Sequence, residues 1–236
     1  MLKISNLTKI YKGDFKAVDN LSLHIEPGDI YGFIGHNGAG KTTTLKCVVG
    51  IHDFDNGEIL INGISIKDNP KKCKENMAYI PDNPDIYSFL TGIQYLNFIA
   101  DVYNVDADKR TTLITKYAEA MELTKYLGNM ISSYSHGMKQ KLAIISALIH
   151  KPKLLILDEP FVGLDPKAVL TLKNIMKELC SQGVAIFFST HVLDVAEKLC
   201  NKIAIIKNGK LVVSTSIDDL DSDRSLEDVF METLNA

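Results

Sequence analysis

The sequence predicts an α/β protein, and three observations carry that prediction. Short β-branched apolar runs alternate with stretches of helix-forming residues along most of the chain. Two of the runs, residues 154–157 and 185–188, are apolar at every position, as central parallel strands are when both faces are covered. Between residues 82 and 151 the strand signals stop and helical patterns take over, so a helical lobe is inserted into an α/β core.

Taken in order, strands are expected at residues 2–8, 21–25, 30–34, 58–61, 78–80, 154–157, 185–189, 203–206 and 211–213. Asn62-Gly63 and Asn208-Gly209 are hairpin turns, with glycine supplying the positive φ. A helix is expected over 41–49. In the inserted lobe Thr91-Gly92-Ile93-Gln94 forms a capping box that opens a helix running to Val102. Further helices are expected over 109–121 and 137–150, the latter stopped by Pro152. The acidic stretch Asp218-Asp219-Leu220-Asp221-Ser222-Asp223 is expected to be a solvated loop, and a last helix over 225–234 is capped by Ser225 and Asp228. The division that results is one folding unit with a core of residues 1–81 and 152–215, a helical subdomain of 82–151 and a tail helix in 216–236.

Composition narrows the function classes. Of 236 residues, 46% are hydrophobic and 23% charged, which is globular rather than disordered or fibrous. With 26 basic against 29 acidic side chains the net charge is −3, which argues against nucleic acid as a partner. No apolar run approaches the roughly 20 residues of a membrane span, and Met1 to Asn6 open no secretory signal, so a soluble intracellular chain is expected. Cys47, Cys73, Cys180 and Cys200 are scattered without metal spacing and are expected as small buried hydrophobes, and the six histidines form no metal pattern.

The segment Gly35-His36-Asn37-Gly38-Ala39-Gly40-Lys41-Thr42 fits G-x-x-x-x-G-K-[ST] and lies between an expected strand and an expected helix. Glycines let backbone N–H groups converge on phosphate oxygens, and the helix N-terminus adds positive dipole. Lys41 supplies a cation for the terminal phosphates and the Thr42 hydroxyl can ligate Mg²⁺. A second element, Leu154-Leu155-Ile156-Leu157-Asp158-Glu159-Pro160, ends a buried strand in two carboxylates, at the sheet edge where α/β proteins bind ligands. Asp158 suits Mg²⁺, and Glu159 is placed to polarise an attacking water. These two elements point to a P-loop NTPase core.

With Tyr134-Ser135-His136-Gly137-Met138 added, the chain resembles the ATP-binding cassette (ABC) ATPases, whose signature sequence this segment matches. Gly163-Leu164-Asp165-Pro166 is similar to their D-loop, His191 in Ser189-Thr190-His191 to their switch histidine, and Tyr11 to the aromatic residue they stack on adenine. The motifs stand in family order over nearly the whole chain. The resemblance implies a RecA-like sheet with an antiparallel β subdomain and an inserted helical subdomain, and ATP with Mg²⁺ as cofactors. It implies ATP binding by Tyr11, Gly35, His36, Asn37, Gly38, Ala39, Gly40, Lys41, Thr42 and Thr43, with Ser135 and Gly137 serving the nucleotide of another protomer. Glu159, His191, Lys41 and Asp82 become the catalytic set, and Thr42, Asp158 and Asp82 the metal ligands.

The same resemblance implies a homodimer or heterodimer of ATPase subunits, a separate transmembrane permease subunit, and a cytoplasmic position on the inner face of the membrane. The variant pattern is similar to the nucleotide-binding subunits of drug, antibiotic and ion exporters. Three residues depart from the family: Asp82 stands where a glutamine is usual, His136 where the signature has glycine, and Met138 where it has glutamine. The segment 86–103, rich in aromatic residues, is expected either to dock the membrane subunit or to pack into the core. A GTPase is excluded because Asn201-Lys202 continues as Ile203-Ala204 and lacks the guanine motif. A soluble non-transport cassette ATPase and a regulatory ATP-binding module stay open as alternatives.

Overall fold

In the computed structural model, which describes residues 1–220 and 225–235, two sheets face each other. The smaller is antiparallel: β1 (Leu2–Tyr11), β2 (Phe15–Ile25), β4 (Asn56–Ile61) and β5 (Ile64–Ser65), in the order β2-β1-β4-β5. The larger contains β3 (Ile30–Ile34), β6 (Met77–Ile80), β7 (Leu154–Asp158), β8 (Ala185–Thr190), β9 (Lys202–Lys207) and β10 (Lys210–Ser216), in the order β10-β9-β3-β8-β7-β6. All its pairings are parallel except β9 with β10, which the Asn208-Gly209 hairpin joins; both turn residues have positive φ, 49° and 78°.

Residue parity along the large sheet assigns its two faces. Tyr31, Phe33, Ile156, Phe187 and Ala204 point to the antiparallel sheet and to helix α1 (Lys41–Val48) and build one core with Leu2, Leu21 and Leu45. Their chain neighbours Ile30, Ile34, Leu155, Leu157, Ile186, Phe188 and Ile205 point the other way, into a second core. Helices α3 (Gly92–Val102), α4 (Ala107–Ala120), α5 (His136–Leu148), α6 (Pro166–Ser181), α7 (Leu193–Leu199) and α8 (Leu226–Asn235) contribute to that second core. A strand buried on both faces has no polar side to expose, which is why residues 154–157 and 185–188 show no alternation.

Local signals explain most helix starts. At α3 the capping box forms in both directions: Thr91 Oγ1 accepts from Gln94 N at 3.3 Å and Gln94 Oε1 from Thr91 N at 2.9 Å. Ser225 and Asp228 exchange the corresponding bonds at α8. Several expected boundaries need correction. β2 begins at Phe15, six residues before the apolar run, because Phe15, Lys16 and Val18 pair with β1 ahead of it. α5 begins at His136 with Ser135 as N-cap. The 16-residue helix α6 and the short elements β5, α2 (Pro70–Glu75) and α7 were absent from the expectation. Of the acidic stretch, Ile217–Asp219 forms a single 3-10 turn rather than loop, and Asp221, Ser222 and Asp223 lie outside the described residues. Cys47, Cys73 and Cys200 are buried, and Cys180 half-buried, all as free thiols.

Candidate active site

Three strands of the large sheet deliver the site at their carboxyl ends. β3 runs into the glycine loop and α1, β7 ends on Asp158 with Glu159 next in the chain, and β8, lying between them, ends on Ser189 and Thr190 with His191 following. The chain has its topological opening for a ligand at this edge. The cleft there has a volume of about 330 Å³, and Tyr11, the loop residues 36–38 and 40–43, Asp82 and Glu159 contribute to its walls, with the expected Gly35 and Ala39 outside that lining.

The loop is shaped by backbone requirements that only glycine meets. Gly40 has φ 109°, and a Cβ there would lie 2.3 Å from the carbonyl oxygen of Ala17, so the loop could not rest against β2 with any other residue. Gly40 is also the N-cap of α1, and no side chain among the described residues caps it. The first amides of α1 therefore keep their donors free, pointing at an anion-sized space with the helix dipole behind them. Lys41 is 6% exposed; its ammonium donates to the carbonyl oxygens of Gly35 (2.5 Å) and His36 (3.2 Å) and lies 3.6 Å from Glu159 Oε1.

The two carboxylates have different environments. Asp158 is buried; its Oδ1 accepts from Ser189 Oγ, while Oδ2 has no hydrogen-bond partner among the described residues. Burial pushes the Asp158 carboxyl above the usual range, opposed by the Ser189 and Thr42 hydroxyls and reinforced by the charges of Asp82 and Glu159. An orphaned buried carboxylate oxygen beside a hydroxyl and a second carboxylate is what a hard divalent cation needs, so these residues fit Mg²⁺. Glu159 is the residue after β7 and has φ 46°, an uncommon conformation for a side chain larger than glycine that costs about 1–3 kcal/mol. That turn aims its carboxylate back into the cleft, with Oε2 3.0 Å from His191 Nδ1 and Oε1 toward Lys41. Its own N–H donates to Ser189 Oγ at 2.9 Å. Ser189 thus holds both acidic residues through one hydroxyl, a role that its place beside His191 in the sequence did not suggest.

The remaining expected residues divide. Tyr11 lines the cleft at the end of the β1–β2 hairpin, 39% exposed and edge-on to His52. Its cross-strand partner Phe15, 61% exposed, joins it there and was not anticipated. Asp82 lines the cleft, with Oδ1 accepting from the N–H of Asn83 at 2.9 Å. Ser135 and Gly137 do not line this cleft: the Ser135 hydroxyl caps α5 by accepting from Met138 N at 3.3 Å, and Gly137 packs against Gly163. Lys141 of α5 is bound to Asp165 at 2.7 Å and Gln140 to the carbonyl oxygen of Pro160 at 3.4 Å, so α5 and the segment after Glu159 are tied together.

A glycine-opened helix N-terminus facing paired carboxylates across one parallel sheet defines a phosphate-loop nucleoside triphosphatase. The family model described as ABC transporter matches residues 18–162, and the chain belongs to that family as an ATP-binding, ATP-hydrolysing subunit. The protein called "Uncharacterized ABC transporter ATP-binding protein YhcH" of Bacillus subtilis is 37% identical over 227 residues, covering 95% of this chain and 73% of that protein. "Bacitracin transport ATP-binding protein BcrA" of Bacillus licheniformis is 36% identical, covering 93% of this chain and 71% of that one. A solved structure described as the ATP binding subunit of an ABC transporter superposes with TM-score 0.95 at 31% identity, covering 99% of each chain.

Proposed function

We propose that this chain binds MgATP in the cleft between the glycine loop and Glu159 and hydrolyses it to drive transport, in the direction of export, through a separate membrane subunit. The observation that carries the reading is the line of Lys41, Glu159 and His191 across the cleft, with Glu159 shared between the other two. Lys41 and the first amides of α1 bind the β- and γ-phosphates. Thr42, Asp158 and Asp82 would hold Mg²⁺, which when bound neutralises phosphate charge. Glu159 takes a proton from the attacking water as its oxygen bonds to the γ-phosphorus and the bond to the β-phosphate oxygen breaks, releasing ADP and phosphate. His191 orients Glu159 and donates toward the developing charge. Tyr11 stacks on the adenine.

Ser135 and Gly137 stand outside this cleft, which supports the reading that they serve the nucleotide of a second ATPase subunit, homologous or identical, placed head to tail. Among the described residues no helix is long and apolar enough to cross a membrane, and the reading assigns the substrate path to a separate membrane subunit. An exposed aromatic cluster suits the contact with it: Tyr87, Phe89 and Phe98 are 50%, 69% and 43% exposed, with ring centroids 5.7 Å apart from Tyr87 to each of the others. In this reading the chain works on the cytoplasmic face of the membrane. The test is phosphate release from MgATP by the purified chain, with and without the membrane protein that co-purifies in mild detergent. Turnover that depends on Glu159 and rises on assembly is expected; nucleotide-independent behaviour in both preparations would sink the reading.

A further inference from the structure

The phosphate loop is touched by the last helix of the chain. The imidazole of His36, second residue of the loop, lies 5.1 Å centroid to centroid from the ring of Phe230 in α8, at 48° between planes. Among the described side chains of this helix Leu226, Phe230 and Thr233 are the buried ones, at spacings of four and three that put them on one face, while Met231 is 50% exposed. The helix is held along its length. The Leu226 N–H donates to Glu197 Oε1 in α7 at 3.3 Å, and Lys207 at the end of β9 donates to the carbonyl oxygen of Thr233 at 3.1 Å. Between these attachments Phe230 bears on His36.

What His36 does next in the chain of contacts gives this packing a consequence. Its carbonyl oxygen accepts from the Ala39 N–H at 3.1 Å and from the Lys41 ammonium at 3.2 Å. The residue on which α8 rests therefore sets the curvature of the loop and one of the two carbonyls that restrain its cation. α7, to which α8 is bound through Glu197, begins two residues after His191. One short helix thus connects the phosphate loop with the segment behind the switch histidine. Covering α7 and β9 calls only for an apolar residue at position 230; a ring set against a loop imidazole does more than that.

We propose that α8 is a positioning strap for the phosphate loop, with Phe230 acting through His36 to hold the loop in its nucleotide-gripping form and so to raise affinity for MgATP. Phe230 is a positioning residue and touches no nucleotide. The inference rests on the assignment of ATP to this cleft.

The test uses the full chain and a fluorescent ATP analogue with Mg²⁺. Phe230→Leu keeps an apolar filler but loses the ring pair, and is expected to weaken binding about fivefold, the scale of one aromatic contact. KM for MgATP rises by a similar factor while kcat stays within about twofold. In a His36→Ala background the same substitution adds no further loss, because its effect travels through that residue. Met231→Ala, on the exposed side, leaves both constants unchanged. Reciprocity supplies a measurement free of variants: MgATP slows amide hydrogen exchange in residues 226–233 of the wild-type chain. Wild-type affinity in Phe230→Leu, losses that multiply in the double variant, or exchange in α8 indifferent to MgATP would each overturn the strap. Failure of the wild-type chain to bind MgATP at all would instead remove the nucleotide assignment beneath it.

Discussion

Glu159 and Lys41 face each other at 3.6 Å, one 16% and the other 6% exposed. Each is a group the proposed reaction needs, and at this distance each partly neutralises the other. In the proposed reaction a γ-phosphate entering the cleft would compete with Glu159 for the ammonium, while His191, 3.0 Å away, would still hold Glu159. The binding event would then free the proposed base toward water.

Removing the cation tests the grip. Lys41→Ala deletes the ammonium that now rests on the Gly35 and His36 carbonyls and would meet the phosphates. Charge-assisted contacts of this kind are worth about 1.5–3 kcal/mol, so MgATP affinity should fall by roughly 10–100-fold in calorimetry. Undiminished affinity would contradict the phosphate-loop assignment.

Glu159→Gln keeps the shape of the site and removes its base. Phosphate release should drop about 100-fold or more while ATP affinity is retained, and the nucleotide-bound protein should elute as a dimer on a sizing column. Full turnover by this variant would exclude Glu159 from proton transfer.

Asp158 is a stability liability that the proposed metal site would explain. Its Oδ2 is buried without a hydrogen-bond partner among the described residues, and burial raises its pKa. Asp158→Asn keeps an acceptor for Ser189 and removes the charge, so the metal-free protein should gain about 1 kcal/mol, or roughly 2–4 °C in melting temperature. The same substitution should abolish hydrolysis. A lower melting temperature in EDTA would show that the ionised carboxylate is structurally supported after all.

Acid should loosen the joint between the helical lobe and the sheet. His150 stacks on Tyr103 with centroids 3.7 Å apart, its Nε2 is 3.2 Å from the Met77 carbonyl oxygen, and burial holds its pKa below the ordinary value. The unfolded chain therefore binds the proton first. Stability is intact above about pH 6.5 and falls as pH drops toward the lower folded value, with a limiting slope of about 1.4 kcal/mol per pH unit. Denaturant titrations from pH 7 to pH 5 should show this slope in the wild type and a shallower one in His150→Gln.

How much of this was legible depended on whether the signal was local. The glycine loop, the two apolar strands and the Thr91–Gln94 capping box are each written in a few consecutive residues, and each formed where expected. The first half of β2 was hidden because Phe15, Lys16 and Val18 are strand residues through pairing with β1, while Asp19 and Asn20 fall in the register shift between Val18 and Leu21. Ser189 reads as the polar end of a strand; its double hold on Asp158 and Glu159 exists only because β8 lies beside β7. The contact of Phe230 with His36 joins opposite ends of the chain, and no pattern near either residue announces it.

The order of strands has a consequence for how the molecule is made. Lys41 follows the third strand of the chain, Glu159 the seventh and His191 the eighth, and the strand carrying Ser189 is the wedge between the other two. A nascent polypeptide emerging from the ribosome holds its lysine early but cannot align it with an acid until the chain past residue 190 is free to insert. On the roles proposed for these residues, synthesis itself would keep the engine off until the part that ignites it has been delivered.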